Sequence, residues 1–315
     1  MKFKKAKIFL AGHNGLVGSS VLKLLKKNDY KKIHTIDKKK LDLTNQSKVI
    51  KYLKNLKPEN VIICAAKVGG IKANVTKPAE FFYQNSTIQN NLIHGSFLAG
   101  VKNLVFLGSS CIYPKFSRQP IVETELLNGK LEFTNQAYAI AKISGIEMCR
   151  SYNIQYGTNY KCLMPTNLYG PNDNYELNSS HFFAAAIRKI FEAKKKKKST
   201  AKFWGTGNSK REAMFVDDLA EAVLFFLNKK TNKNLINIGS GYELKIKEYL
   251  KIISKLLNYE GDIKFDQNKS IDGTPRKIVD ISLAKRLGWK SKHSFEKSML
   301  LTINDFIENH KIYTK

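Results

Sequence analysis

The stretch Asn103-Leu104-Val105-Phe106-Leu107-Gly108-Ser109-Ser110-Cys111-Ile112-Tyr113-Pro114 decides how this chain is read. Leu104 to Leu107 is an unbroken apolar run, the pattern of a strand buried on both faces of a parallel sheet. Gly108 and Pro114 bracket the polar residues as loop punctuation. Ligands of open α/β sheets sit outside the carboxyl ends of the strands, so Ser109, Ser110 and Cys111 stand where a ligand would lie. Farther on, Tyr138-Ala139-Ile140-Ala141-Lys142 sets a phenol and an ammonium four residues apart, on one face of a helix. Two separate elements thus carry Cys111 and Tyr138 toward one ligand.

Toward the N-terminus, residues 7–18 read as an apolar strand, a turn with Gly12, Gly15 and Gly18, and the start of a helix. Such a turn lets backbone approach a pyrophosphate and aims free N–H groups at it from a helix N-terminus; His13, Asn14, Leu16 and Val17 fill the turn. The spacing G-x-x-G-x-x-G differs from the usual G-x-G-x-x-G. A second strand, expected over Lys32 to Ile36, leads into Asp37, about 25 residues past Gly12, where an acid accepts hydrogen bonds from an adenosine ribose. Lys38 to Lys40 follow and could hold a 2′-phosphate instead, and Asp42-Leu43 could border the adenine. Asn60 to Ala66 is a third strand; Ala65 and Ala66 are small enough to admit a cofactor. A long helix is expected from Phe81 to Leu98.

Toward the C-terminus, the helix with Tyr138 and Lys142 runs to about Tyr156. A strand from Tyr160 to Met164 enters Pro165-Thr166-Asn167-Leu168. The alternation of strands and helices argues a Rossmann-like, doubly wound parallel sheet. The regularity then weakens: a helix headed by His181 and carrying Lys189, a short strand at Phe203-Trp204, a loop with Arg211, and a loop from Asp272 to Lys277. A smaller substrate domain, interleaved with the first, is expected.

At 315 residues and 43% hydrophobic content, the chain can build a large core, and no apolar run is long enough to cross a bilayer. Cys64, Cys111, Cys149 and Cys162 lack metal-like spacing and read as reduced thiols of a cytoplasmic protein. The apolar segment behind the basic N-terminus is too short for a signal peptide. The net charge of +28 raises nucleic-acid binding. Lysine nevertheless dominates over arginine and is spread along the chain, and no DNA- or RNA-binding signature accompanies it. The excess is read as a solvated surface that also helps draw in anionic nucleotides.

Together, Gly12/Gly15/Gly18, Ser109 and Tyr138-x-x-x-Lys142 resemble the extended short-chain dehydrogenase/reductase family. The segments 66–71, 108–114, 165–171, 204–205, 211–212 and 272–277, with His181, resemble its branch that epimerises and reduces GDP-linked 4-keto-6-deoxy sugars. The resemblance implies that one site inverts C3 and C5 and then reduces C4. Tyr138 and Ser109 would hold the C4 oxygen and Tyr138 would protonate it. Lys142 would lower the phenol's pKa and bind the nicotinamide ribose, and Cys111 and His181 would be the acid and base of epimerisation. Leu107, Gly108, Pro165, Asn167, Leu168 and His181 would border the cofactor. Lys189, Trp204, Arg211 and Asp272 would hold the GDP-sugar. No metal is implied.

NADPH is expected over NADH, although Asn14 stands where the family commonly has an arginine. The resemblance also implies a homodimer through the two long helices. The NADP-binding domain would span residues 1–166 and about 215–240, and the substrate domain 167–214 and 241–315. A 4-epimerase of the same fold would not need Cys111 and His181, and a dehydratase would place carboxylates where Ser110 and Cys111 stand. A binding protein without catalysis would not need Ser109, Tyr138 and Lys142 together.

Overall fold

The computed structural model describes residues 2–266 and 274–314. A short helix α1 (Lys2–Lys5) leads into a six-stranded parallel sheet of β1 (Lys7–Ala11), β2 (Lys32–His34), β3 (Asn60–Ile63), β4 (Asn103–Leu107), β5 (Asn159–Pro165) and β9 (Leu235–Ile238). Its order is β2-β1-β3-β4-β5-β9. This is the doubly wound sheet expected. Strand β2 stops at His34, short of the expected Ile36.

Strand β4 shows why an unbroken apolar run was needed. Side chains alternate along a strand. Leu104 and Phe106 enter the core under α3 (Gln46–Leu56), α5 (Pro78–Leu98) and α6 (Gln136–Tyr156). Val105 and Leu107 enter the opposite core, under α2 (Leu16–Lys27) and α8 (Val216–Asn228). Burying each such side chain contributes roughly 1.5–3 kcal/mol, so a polar residue in this run would destabilise the fold by a comparable amount.

A third core belongs to the second lobe. There β6 (Asn167–Tyr169), β8 (Lys210–Phe215), β10 (Glu243–Lys245) and β12 (Arg276–Lys277) form a mixed sheet, and β7 (Thr200–Trp204) pairs with β11 (Asp262–Asp266). Around them pack α7 (Phe182–Lys195), α9 (Ile246–Leu256) and α11 (Phe295–Tyr313). Two smaller helices, α4 (Ile71–Thr76) and α10 (Ser282–Arg286), complete the α-helices among the described residues. The segment around Arg211 is strand β8 rather than the expected loop. Its partners β6, β10 and β12 are distant in sequence, so no local pattern marked it.

Two close approaches place α6. A Cβ on Gly145 would lie 2.8 Å from Phe106 Cζ on β4 and 2.8 Å from Gln89 Cδ on α5. Only glycine lets α6 settle this deeply. Gln89 Nε2 then donates across the helix pair to the Ala141 carbonyl and, at 3.0 Å, to Ser144 Oγ. That seating brings the turn with Tyr138 and Lys142 to the carboxyl end of β4.

Candidate active site

Ser109 leaves β4 with an extended backbone and caps the following turn: its Oγ accepts from the Cys111 amide at 3.2 Å. The Tyr138 hydroxyl from α6 shares a hydrogen bond with Ser109. Lys142, fully buried, donates from Nζ to the Leu107 carbonyl at 2.8 Å and lies 5.9 Å from the centre of the Tyr138 ring. Ser109, Cys111, Tyr138 and Lys142 therefore converge, as their sequence positions suggested.

The electrostatics differ from expectation in one respect. Burial, and then the charge of Cys111, push the Tyr138 phenol above its ordinary range. Lys142 does not lower it. Burial instead pulls the lysine down to about 8, and its hydrogen bond goes to Leu107. The phenol is thus held as a proton donor.

Sequence reasoning left one group unassigned. Lys277 Nζ on β12 lies 3.2 Å from Cys111 Sγ. Burial raises the Cys111 pKa, but Lys277, the Ser109 hydrogen bond and Arg211 together outweigh it, and the net shift is downward. His181 stands at the N-cap position of α7, without a side-chain capping bond, and is exposed. Crowding by surrounding protein, and then Lys277, hold its imidazole below the usual value. Cys64 is the contrast: burial pushes its thiol up to about 12.

The glycine turn follows β1 and so lies at the same carboxyl-terminal end of the parallel sheet. Gly12 has φ +86°, and a Cβ on Gly18 would fall 2.0 Å from the Gly12 carbonyl oxygen. Gly15 donates its own amide to the Gly12 carbonyl at 3.2 Å and is the N-cap of α2, a helix with no side-chain cap and no acid in its first turn. The open backbone amides of that first turn fit the diphosphate of a dinucleotide. Leu16 and Val17 are half-buried, while Gly18 is buried in the turn. Asp37 is exposed; its Oδ1 accepts from Asn14 Nδ2 at 3.0 Å and lies 3.4 Å from His13 Nε2. Lys38 is exposed as well. Asp42 caps its own turn, accepting from the Thr44 amide and hydroxyl, and the Leu43 carbonyl accepts from Asn91 Nδ2 at 2.9 Å. Ala65 and Ala66 follow β3, Gly108 follows β4, and Pro165 ends β5. Asn167 Nδ2 donates to the Glu212 carbonyl at 2.9 Å, and Leu168 packs half-buried against the core under α8.

In the second lobe, Lys189 Nζ lies 5.4 Å from the exposed Trp204 ring. The Arg211 carbonyl accepts from Tyr249 OH at 2.9 Å. Asp272 lies outside the described residues. Glu212 is a second residue that sequence reasoning missed. It is completely buried, and its carboxylate accepts from the Gly241 amide at 2.7 Å and the Val279 amide at 3.0 Å.

A Rossmann-like sheet, an open glycine turn and a Ser–Tyr–Lys group at a strand end define a dinucleotide-dependent enzyme acting on a carbonyl or hydroxyl. Residues 8–239 match the NAD dependent epimerase/dehydratase family, and the chain belongs to that family. It is 47% identical to a GDP-L-fucose synthase of Sinorhizobium fredii over 303 residues, 96% of each protein. It is 46% identical to GDP-L-fucose synthase 1 of Arabidopsis thaliana, over 98% of this chain and 95% of that one. Among solved structures, a GDP-L-fucose synthetase from Naegleria fowleri bound to NADP superposes with a TM-score of 0.91 at 26% identity, covering 99% of this chain and 96% of the other.

Proposed function

We propose that the chain is a GDP-L-fucose synthase: it inverts C3 and C5 of GDP-4-dehydro-6-deoxy-D-mannose and reduces C4 with NADPH. The observation that carries this reading is the meeting of Cys111, Ser109 and Tyr138 at the end of β4, with Lys277 against the thiol. The close full-length likeness to GDP-L-fucose synthases supports the substrate and the cofactor.

The C4 carbonyl acidifies the protons on C3 and C5. Removing either one, and later reducing C4, places negative charge on the same oxygen. Ser109 and Tyr138 are the donors assigned to it, and one preorganised oxyanion site serves every step. Cys111 and His181 divide the work of base and acid at C3 and C5. With NADPH bound, its nicotinamide supplies the hydride for C4, and Tyr138 gives its proton to the oxygen. Gly12, His13, Gly15, Leu16, Val17 and Gly18 would hold the diphosphate. Lys142 would reach the nicotinamide ribose. Lys189, Trp204, Arg211 and Asp272 would hold the GDP-sugar.

Exposed Phe82 and Tyr83 on α5, and Ile140, Ile154 and Tyr156 on α6, support a homodimer through these helices. Among the described residues no helix is long and apolar enough to cross a membrane. Four unpaired cysteines support a cytoplasmic site of action.

The test is NADPH oxidation with GDP-4-dehydro-6-deoxy-D-mannose, followed by loss of the reduced-nicotinamide absorbance, with the product sugar identified. GDP-L-fucose is expected. Reduction without inversion at C3 and C5 would make the chain a simple 4-reductase and remove the role given to Cys111 and His181.

A further inference from the structure

Lys277 belongs to a strand of two residues, and its register beside β8 sets it opposite Arg211. The hydrogen bond it makes within the site is to sulfur: Nζ stands 3.2 Å from Cys111 Sγ. That is a hydrogen-bonding distance for an ammonium donating to sulfur. The groups facing the sulfur come from several elements: Lys277 from β12, Arg211 from β8, Tyr138 from α6 and Ser109 from the end of β4. Lys115 and Glu132 line the same small cavity, and they are paired with each other at 2.9 Å.

We infer that Lys277 is a positioning residue that holds Cys111 as the thiolate and so makes it the base of the first proton transfer. The inference rests on the reading of Cys111 and His181 as the proton-transfer pair. The thiolate takes the carbon-bound proton and becomes a thiol, while the C–H electron pair moves into the enolate whose oxygen Ser109 and Tyr138 hold. His181, having taken a proton from solvent, delivers it to the opposite face, and the Cys111 proton returns to solvent. No oxidant or reductant is consumed. The same ammonium opposes the imidazolium, so Lys277 biases both groups toward their deprotonated forms. This is direct electrostatics at the acid–base pair, distinct from holding the GDP-sugar.

The experiment is the pH dependence of Cys111 alkylation by iodoacetamide in the full-length protein. Cys111→Ser identifies the modified thiol against Cys64, Cys149 and Cys162. Wild-type alkylation should have its midpoint below that of a free cysteine, near 8.5. In Lys277→Met the midpoint should rise by about one pH unit or more, and Lys277→Arg should restore it to within about half a unit. The His181 imidazole, followed by NMR, should also titrate at higher pH in Lys277→Met, a concerted shift that a merely structural lysine would not produce.

A wild-type midpoint at or above the free value overturns the inference without any variant. So does an unchanged midpoint in a folded, NADPH-binding Lys277→Met, or an equal rise in Lys277→Arg. The carbon-acid reading is tested separately, by solvent-deuterium incorporation at C3 and C5. Normal incorporation by Cys111→Ser beside a Lys277-dependent alkylation midpoint would sink the role of Cys111 and leave the ion pair standing.

Discussion

The Lys142 ammonium donates to the Leu107 carbonyl oxygen at 2.8 Å, fastening α6 to the carboxyl end of β4. The lysine spends its hydrogen bond on the strand and leaves the neighbouring phenol to burial, which holds Tyr138 protonated. A protonated phenol beside Ser109 is placed to give a proton to the C4 oxygen. Tyr138→Phe should therefore lower single-turnover NADPH oxidation by about 10²- to 10⁴-fold while NADPH affinity stays within about twofold. Measuring the two together separates chemistry from binding. A near-normal turnover rate would remove Tyr138 from the reaction.

The sheet was legible because burial on both faces leaves an apolar run that no surface strand would tolerate. The glycine turn was legible because close backbone contact excludes every side chain at Gly18. Ser109, Cys111, Tyr138 and Lys142 could be placed because each lies within one turn of an element that the pattern predicts. Lys277 could not. It reaches Cys111 only through the pairing of β12 with β8, two residues long and 166 positions away from the thiol in sequence. Glu212 was hidden for the same reason, since its partners at Gly241 and Val279 come from segments with no local signature.

The cofactor turn carries a second prediction. Asp37 faces the glycine turn with its carboxylate held by Asn14 and His13. A carboxylate there favours a free ribose hydroxyl and repels a 2′-phosphate. Asp37→Ala should tighten NADPH binding by about three- to tenfold relative to NADH, corresponding to roughly 1 kcal/mol for an exposed like-charge contact. The ratio of dissociation constants, read from nicotinamide fluorescence, checks it. An unchanged ratio would show that Asp37 does not face the adenosine ribose.

Lys161 is a buried cation in the middle of β5, with Asn159 Oδ1 as a hydrogen-bond partner at 2.8 Å. Burial lowers its pKa to about 8. Below that pH the lysine is charged both folded and unfolded, and the folded state bears the full desolvation penalty. Between about 8 and the unfolded value near 10.4, only the unfolded chain keeps the proton, so this contribution to stability rises with pH. Lys161→Met should thus stabilise the fold by about 1–3 kcal/mol at neutral pH, with the gain shrinking as pH passes 8. Urea unfolding at several pH values would detect it. A gain independent of pH would mean that packing, not charge, is responsible.

Glu212 joins the turn before β10 to the segment after β12, accepting from the Gly241 and Val279 amides through its two oxygens. Glu212→Gln keeps the shape but turns one acceptor into a donor facing an N–H group. A buried clash of this kind costs about 1–3 kcal/mol. Val279 lies two residues beyond Lys277, so the strain falls on the strand that presents Lys277 to Cys111. The expected result is a lower urea midpoint, a raised KM for the GDP-sugar and a slower epimerisation step. NADPH affinity should change less, because the carboxylate's bonds go to Gly241 and Val279 and not to the glycine turn. Equal losses of NADPH and GDP-sugar binding would show that Glu212 supports the whole fold rather than this strand.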